Sequence, residues 1–222
     1  TGKPDPAFGV NGQVDLKKGF VEKFPGTQYR VTSPPGICGE VVVTGSLVSD
    51  GAPQGPSGDI RGWDVRTGKL RWRFHVVPRD GEFGRETWAG DSNVDRGGTN
   101  AWAPFSVDER LGLIFAPLTS PSYDGYGGDR EGANLFGNSV VAMECATGRR
   151  RWHYQTVHHD IWDYDLPAQP SLVTVRRGGK RVPAAAQVTK MGWLFLLDRR
   201  TGEPLFPVEE RPFPASAIPG EK

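Results

Sequence analysis

Apolar residues along this chain come in short runs separated by turn-forming residues. The runs Val41–Val48, Ala103–Val107, Leu113–Leu118, Ser171–Val175 and Ala184–Val188 have strand length and are bounded by Gly, Pro, Asp and Asn. No segment carries a long helical period with caps. Three further stretches resemble one another: IRGWDVRTGKLRWRF (Ile60–Phe74), VVAMECATGRRRWHY (Val140–Tyr154) and LFLLDRRTGEPLFPV (Leu194–Val208). Each has an apolar strand, an acidic residue, a Thr-Gly pair and a second strand. Glycine there supplies the positive φ of a tight hairpin. Trp72 and Trp152 stand four residues beyond Gly68 and Gly148, and Phe206 takes that place after Gly202. Thr1-Gly2-Lys3 reads as the tail of an earlier copy.

Four strands per unit, repeated radially, predict an all-β chain of β-propeller blades. The units fall near 30–77, 101–156 and 168–210 within one domain over 1–222. The inserts Val77–Asn100 and Ser120–Asn138 are polar and Gly-rich, so they read as loops on one face. A β-sandwich with accidental hairpins is the rival. The match of acid, turn and aromatic across the copies argues against it. About three blades would not close a ring. The expectation is therefore a partial arc, or closure by assembly with other chains.

Composition narrows the function. With 36% hydrophobic and 24% charged residues, the chain is ordinary for a globular protein. A net charge of +1 gives no argument for a nucleic-acid partner. No apolar run approaches the ~20 residues that span a bilayer. TGKPDPAFGVNG has neither a basic nor an apolar targeting region. Cys38 and Cys145 lack CxxC spacing, so zinc is not expected. The favoured reading is two buried free thiols, with one disulfide left open for an oxidising compartment.

Chemistry concentrates in TVHHDIWDYDLPAQPSL, Thr156–Leu172. Adjacent residues on an extended strand face opposite ways, so His158 and His159 are read as packing and hydrogen-bonding loop residues, not as ligands to one ion. Asp160 and Asp165 are read as turn or capping groups.

The D-x-x-T-G-x-x-x-W hairpin resembles the tryptophan-docking motif of the quinoprotein alcohol dehydrogenases. WHYQTVHHDIWDYDLPAQPSLV is similar to the membrane-bound glucose and quinate dehydrogenase branch, which depends on pyrroloquinoline quinone. TSPPGIC, VVVTGS, IRGWDVRTG, NAWAPFSVD and GWLFLLDRRTGEPLFPVEERP extend the resemblance over nearly the whole chain. The resemblance implies an eight-bladed propeller, of which this chain would be about three blades. It implies pyrroloquinoline quinone and a divalent ion, Ca²⁺ or Mg²⁺, at the hub. It further implies oxidation of an alcohol, aldose or polyol, with electrons passed to a membrane quinone in the periplasm.

By the same resemblance, Asp163 of HHDIWD is the catalytic base that takes the hydroxyl proton. Lys190 of VTKMGW hydrogen-bonds the quinone oxygens, and Trp102 of NAWAPF forms a floor under the ring. Asp50 stands for a metal ligand. The branch usually has an Asp-Asn pair there, and this chain has Ser49-Asp50, which moves the carboxylate by one residue. Ser122 and Thr32 fall near cofactor-facing positions. Two other readings remain open. One is a non-catalytic propeller scaffold, although scaffolds built from these hairpins lack the HHDIWD-to-lysine constellation. The other is a piece of the dehydrogenase that is inactive alone.

Overall fold

The computed structural model describes residues 2–221, and apart from one short 3-10 turn (Arg85–Thr87) its regular structure is antiparallel sheet joined by long loops. Thr1 lies outside the described residues, and Gly2 carries the positive φ expected of a turn glycine. The first large sheet orders β2 (Gly36–Cys38), β3 (Val41–Thr44), β5 (Ile60–Asp64) and β6 (Leu70–Phe74) as β2-β3-β5-β6. The second is the meander β7 (Ser106–Asp108), β8 (Leu113–Pro117), β9 (Ser139–Glu144) and β10 (Arg150–Gln155). The third holds β11 (Ser171–Arg177), β12 (Lys180–Val188) and β13 (Leu194–Asp198), with Leu197 also bridging Pro204. A small pair joins β1 (Tyr29–Arg30) to β4 (Leu47–Val48).

The middle sheet explains the apolar runs. Side chains of a strand alternate between faces. Ile114 and Ala116 join Val41, Val43 and Ile60 in the core toward the first sheet. Leu113 and Phe115 join Phe195 and Leu197 in the core toward the third. Every residue of β8 is buried, as a strand covered on both faces requires.

The repeated hairpins lock neighbouring sheets together. Asp64 accepts from the backbone N–H groups of Arg66 and Thr67, at 3.0 and 2.8 Å, and from the Thr67 hydroxyl at 2.9 Å. Trp72 then lies where a side chain on Gly148 would be, and its indole N–H donates to the Cys145 carbonyl at 2.9 Å. Trp152 repeats this on Gly202 and donates to the Arg199 carbonyl at 3.0 Å. Each tryptophan therefore belongs to one sheet and is completed by the turn of the next. Gly68 is covered instead by Phe8 and Val14 of the N-terminal segment. Phe206 is 58% exposed, with the Arg177 guanidinium 5.3 Å from its ring.

Some expectations need correction. Cys38 and Cys145 are not free thiols. They form a buried disulfide with a Cα separation of 5.8 Å. Pairing of the first two sheets brings together residues 107 apart in sequence, a proximity that no local spacing reveals. The run Val41–Val48 breaks into two strands. Gly45 passes too close to the Ala101 carbonyl for any side chain, and Ser46 N–H donates to that carbonyl at 3.1 Å. The glycine-rich inserts are not merely polar surface. They pack on each other, burying Trp88, Arg130 and Leu135, and the Trp88 indole donates to the Leu135 carbonyl at 2.6 Å.

Candidate active site

The loop between β10 and β11 is fixed before it reaches its acidic residues. Asp160 is buried and accepts from Asn138 Nδ2 at 2.8 Å, from Tyr164 N–H at 2.7 Å and from the Ser120 hydroxyl. Arg130 holds the Asp160 carbonyl at 2.5 Å. Beyond the acidic residues, Leu166 enters the second core cluster and Gln169 donates to the Phe105 carbonyl at 2.8 Å. The Asp160 capping reading thus matches its contacts. His158 bonds Gln155 at 2.7 Å and pairs with Glu210, whereas His159 bonds the Gly132 carbonyl at 3.0 Å. Their rings part because the chain turns at His159, with φ 49°, and not because the segment is a strand.

Asp163 follows with φ 55°, a left-handed conformation uncommon for a non-glycine residue. Its carboxylate is 52% exposed and receives Lys190 Nζ at 2.8 Å. Lys190 stands on the turn between β12 and β13. The turn is closed by Thr189 N–H to the Trp193 carbonyl and Gly192 N–H to the Thr189 carbonyl, both at 3.0 Å. The same ammonium lies 3.3 Å from Asp165. Asp165 also accepts from the Trp102 indole N–H at 3.2 Å and from Ser120 N–H at 2.8 Å. One short chain of contacts therefore joins Asp163, Lys190, Asp165 and Trp102.

Asp165 is the residue that sequence reasoning undervalued. It caps Ser120, but it also ties the lysine to the tryptophan. Burial raises its pKa, opposed by the Ser120 N–H and the Lys190 charge. For Lys190, burial favours the neutral form, but the bond to Asp163 and the charges of Asp165 and Asp163 outweigh it, and its pKa rises. Its spacing in WDYD was the available signal.

A cleft of about 170 Å³ adjoins this group, lined by Gln28, Ser49, Asp50, Asn100, Trp102, Ser120, Asp124 and Asp165, among others. Asp124 lies in the insert between β8 and β9, where no local motif marks it as a site residue. Burial and the charges of Asp50, Asp165, Asp163 and Asp160 push its pKa up to about 7. Thr32 and Ser33 do not line the cleft. Their hydroxyls donate to the Trp102 carbonyl, from Thr32 at 3.3 Å, and so hold the tryptophan's backbone. Ser122 is fully buried behind the cleft against Gly97 and Gly98, and its hydroxyl has no partner among the described residues.

The donor set suits the groups that the resemblance implies. Trp102 lines a polar cleft with a ring of the kind that stacks on a flat cofactor, and the free oxygens of Asp50 suit a hard cation. Among the described residues, no three His, Cys, Asp or Glu side chains converge into a ready metal site. Asp50 would supply one oxygen ligand, the others coming from elsewhere.

Residues 1–222 match the PQQ family model, described as "Glucose/ethanol/alcohol dehydrogenase, beta-propeller domain". The chain belongs to this family of β-propeller dehydrogenases. Its relatives in the family include the quinate/shikimate dehydrogenase (quinone) of Acinetobacter baylyi, 42% identical over all of this chain and 27% of the relative. The glycerol dehydrogenase large subunit of Gluconobacter oxydans is 40% identical over all of the chain and 30% of its own length. Among solved structures, a quinohemoprotein alcohol dehydrogenase of Pseudomonas putida superposes with a TM-score of 0.73. It is 32% identical, with 89% of this chain and 29% of that one covered. The chain thus spans 27–30% of the length of these family members.

Proposed function

We propose that this chain contributes the hub residues of a quinoprotein dehydrogenase that oxidises an alcohol, aldose or polyol. The observation that carries the reading is the Lys190 ammonium shared by Asp163 and Asp165, with Asp165 bonded to Trp102. When bound, pyrroloquinoline quinone supplies the hydride acceptor, and Ca²⁺ or Mg²⁺ the Lewis acid. Asp163 accepts the substrate hydroxyl proton through its exposed carboxylate. Lys190 orients that carboxylate and brings a positive charge to the place where the ring would gain electrons. Trp102, held by Asp165 through its indole N–H, would stack on the quinone ring, and Asp50 would supply one oxygen to the metal.

In the whole protein, further blades complete the ring, and electrons pass to a membrane quinone on the periplasmic side. The Cys38–Cys145 disulfide supports an oxidising compartment. No helix of the described residues is long and apolar enough to cross a membrane.

The test reconstitutes the full-length protein with pyrroloquinoline quinone and Ca²⁺ or Mg²⁺ and follows dye reduction. Asp163→Asn is expected to lower kcat by roughly 10²–10⁴-fold. Undiminished turnover removes Asp163 from the chemistry. Absence of quinone binding by the folded protein favours the scaffold reading.

A further inference from the structure

Residues 207–217 carry no regular structure, and nearly every residue from Val208 to Gly220 is exposed. Glu221 is the exception, with a side chain only 1% exposed. One of its oxygens accepts the Gly127 backbone N–H at 2.5 Å. The other, Oε2, faces His159 Nε2 at 3.8 Å, and neither of these two atoms has a hydrogen-bond partner among the described residues. The buried Arg130 guanidinium lies within electrostatic reach of the same carboxylate. Three further contacts lay the segment over the same two loops. Glu210 pairs with His158, Phe213 packs on Trp162 with ring centroids 6.3 Å apart, and the Tyr126 hydroxyl donates to the Pro219 carbonyl at 3.3 Å. The ion pair and the two rings are exposed, so they hold weakly.

A carboxylate is costly to bury unless its site returns hydrogen bonds and positive charge. The Glu221 site returns both, and the groups that do so belong to the Asp163 loop or to its support. Gly127 and Arg130 lie in the insert between β8 and β9, and Arg130 holds the Asp160 carbonyl. His159 opens the turn that ends at Asp163, and both residues have left-handed φ. Lys190 holds Asp163 by its carboxylate. The tail holds the residues that lead up to it, His158, His159 and Trp162. The geometry points to Glu221 as a positioning residue that pins the 208–221 segment onto the loop carrying Asp163 and so keeps the Asp163 carboxylate on Lys190. This inference rests on the dehydrogenase reading and adds a residue that acts on the chemistry through another.

The test uses the full-length protein and reads amide hydrogen exchange segment by segment, beside dye reduction by the cofactor-loaded enzyme. Glu221→Ala is expected to speed exchange in 126–132 and 157–164 by roughly 10-fold or more and to leave β8, β9 and β12 within about 3-fold. In the same variant kcat is expected to fall by roughly 10-fold or more with KM changed less than about 3-fold, the pattern of a misplaced reacting group. Glu221→Gln, whose amide oxygen still accepts from Gly127, should recover most of both. If Glu221→Ala fails to fold, Glu221→Asp, which keeps the charge but withdraws it from Gly127, is read in the same way. Unchanged exchange in the loop, a rise spread over all the sheets, faster loop exchange with undiminished kcat, or no recovery in Glu221→Gln overturns the proposal. If the wild type turns over no alcohol, the dehydrogenase reading fails by itself, and the exchange arm still decides whether Glu221 fixes the loop.

Discussion

Lys190 bridges two carboxylates of a single loop, 2.8 Å from Asp163 and 3.3 Å from Asp165. The lysine comes from the third sheet's hairpin, whereas Asp165 is anchored to Ser120 and Trp102 beside the second sheet. The contact therefore joins two neighbouring units at the cleft.

Removing that ammonium leaves Asp163 and Asp165 without their shared ion-pair partner. Lys190→Ala is expected to lower kcat of the reconstituted enzyme by at least roughly 10²-fold, the scale of losing one charged stabilising group. Lys190→Arg should recover only part, because its planar fork does not reproduce a compact ammonium. Steady-state dye reduction is the measurement, with circular dichroism to verify the fold. Equal activity of all three forms would put Lys190 outside the chemistry.

The docked indoles should be costly to lose. Trp152→Ala removes a buried side chain and its bond to the Arg199 carbonyl, with an expected loss of about 3–5 kcal/mol. Gly202→Ala places a methyl against the same indole at a residue whose φ is 79°, so it too should destabilise. Urea unfolding monitored by tryptophan fluorescence tests both. Phe206→Ala, at an exposed ring, should cost the isolated chain under about 1 kcal/mol.

The disulfide closes a span of 107 residues. Constraining so long a loop in the unfolded chain gives roughly 4–5 kcal/mol in the chain-entropy view. The Cys38→Ser, Cys145→Ser double variant should therefore melt well below the parent. In the folded parent both sulfurs are buried, so thiol titration should find no reactive group until the protein is unfolded and reduced.

Two groups set opposite pH limits. The Asp124 pKa stands near 7 in the fold against an ordinary 3.8, so between these values the folded state binds the extra proton. Stability from this residue is present at low pH and is lost as pH rises toward and through 7. Asp124→Asn should flatten that decline in melting scans between pH 5 and 8. His153 runs the other way. Burial and the neighbouring Arg150 charge lower its pKa to about 4 from 6.5. The unfolded state then binds more protons below pH 6.5, so stability falls between pH 6.5 and 4. His153→Gln should weaken that acid limb, as seen in the same scans.

The hairpin repeat was legible because its chemistry is local. The acid of D-x-x-T-G caps a turn only three residues away, and the apolar alternation marks strands wherever they finally pair. Asp163, Lys190 and Trp102 stand out by motif resemblance, and contacts through Asp165 join them beside the cleft. Asp165 as the link, Asp124 as a free carboxyl and the cysteine pair were not legible. Each depends on segments distant along the chain meeting in space, and neither hydrophobic period nor turn chemistry carries that distance. By itself, the sequence determined the strands, the turns and the class of sheet they build. Only tertiary packing decided which carboxylates found a cation, which stayed unpartnered and which thiols met, because charge pairing and desolvation depend on ångström separations between segments remote in sequence.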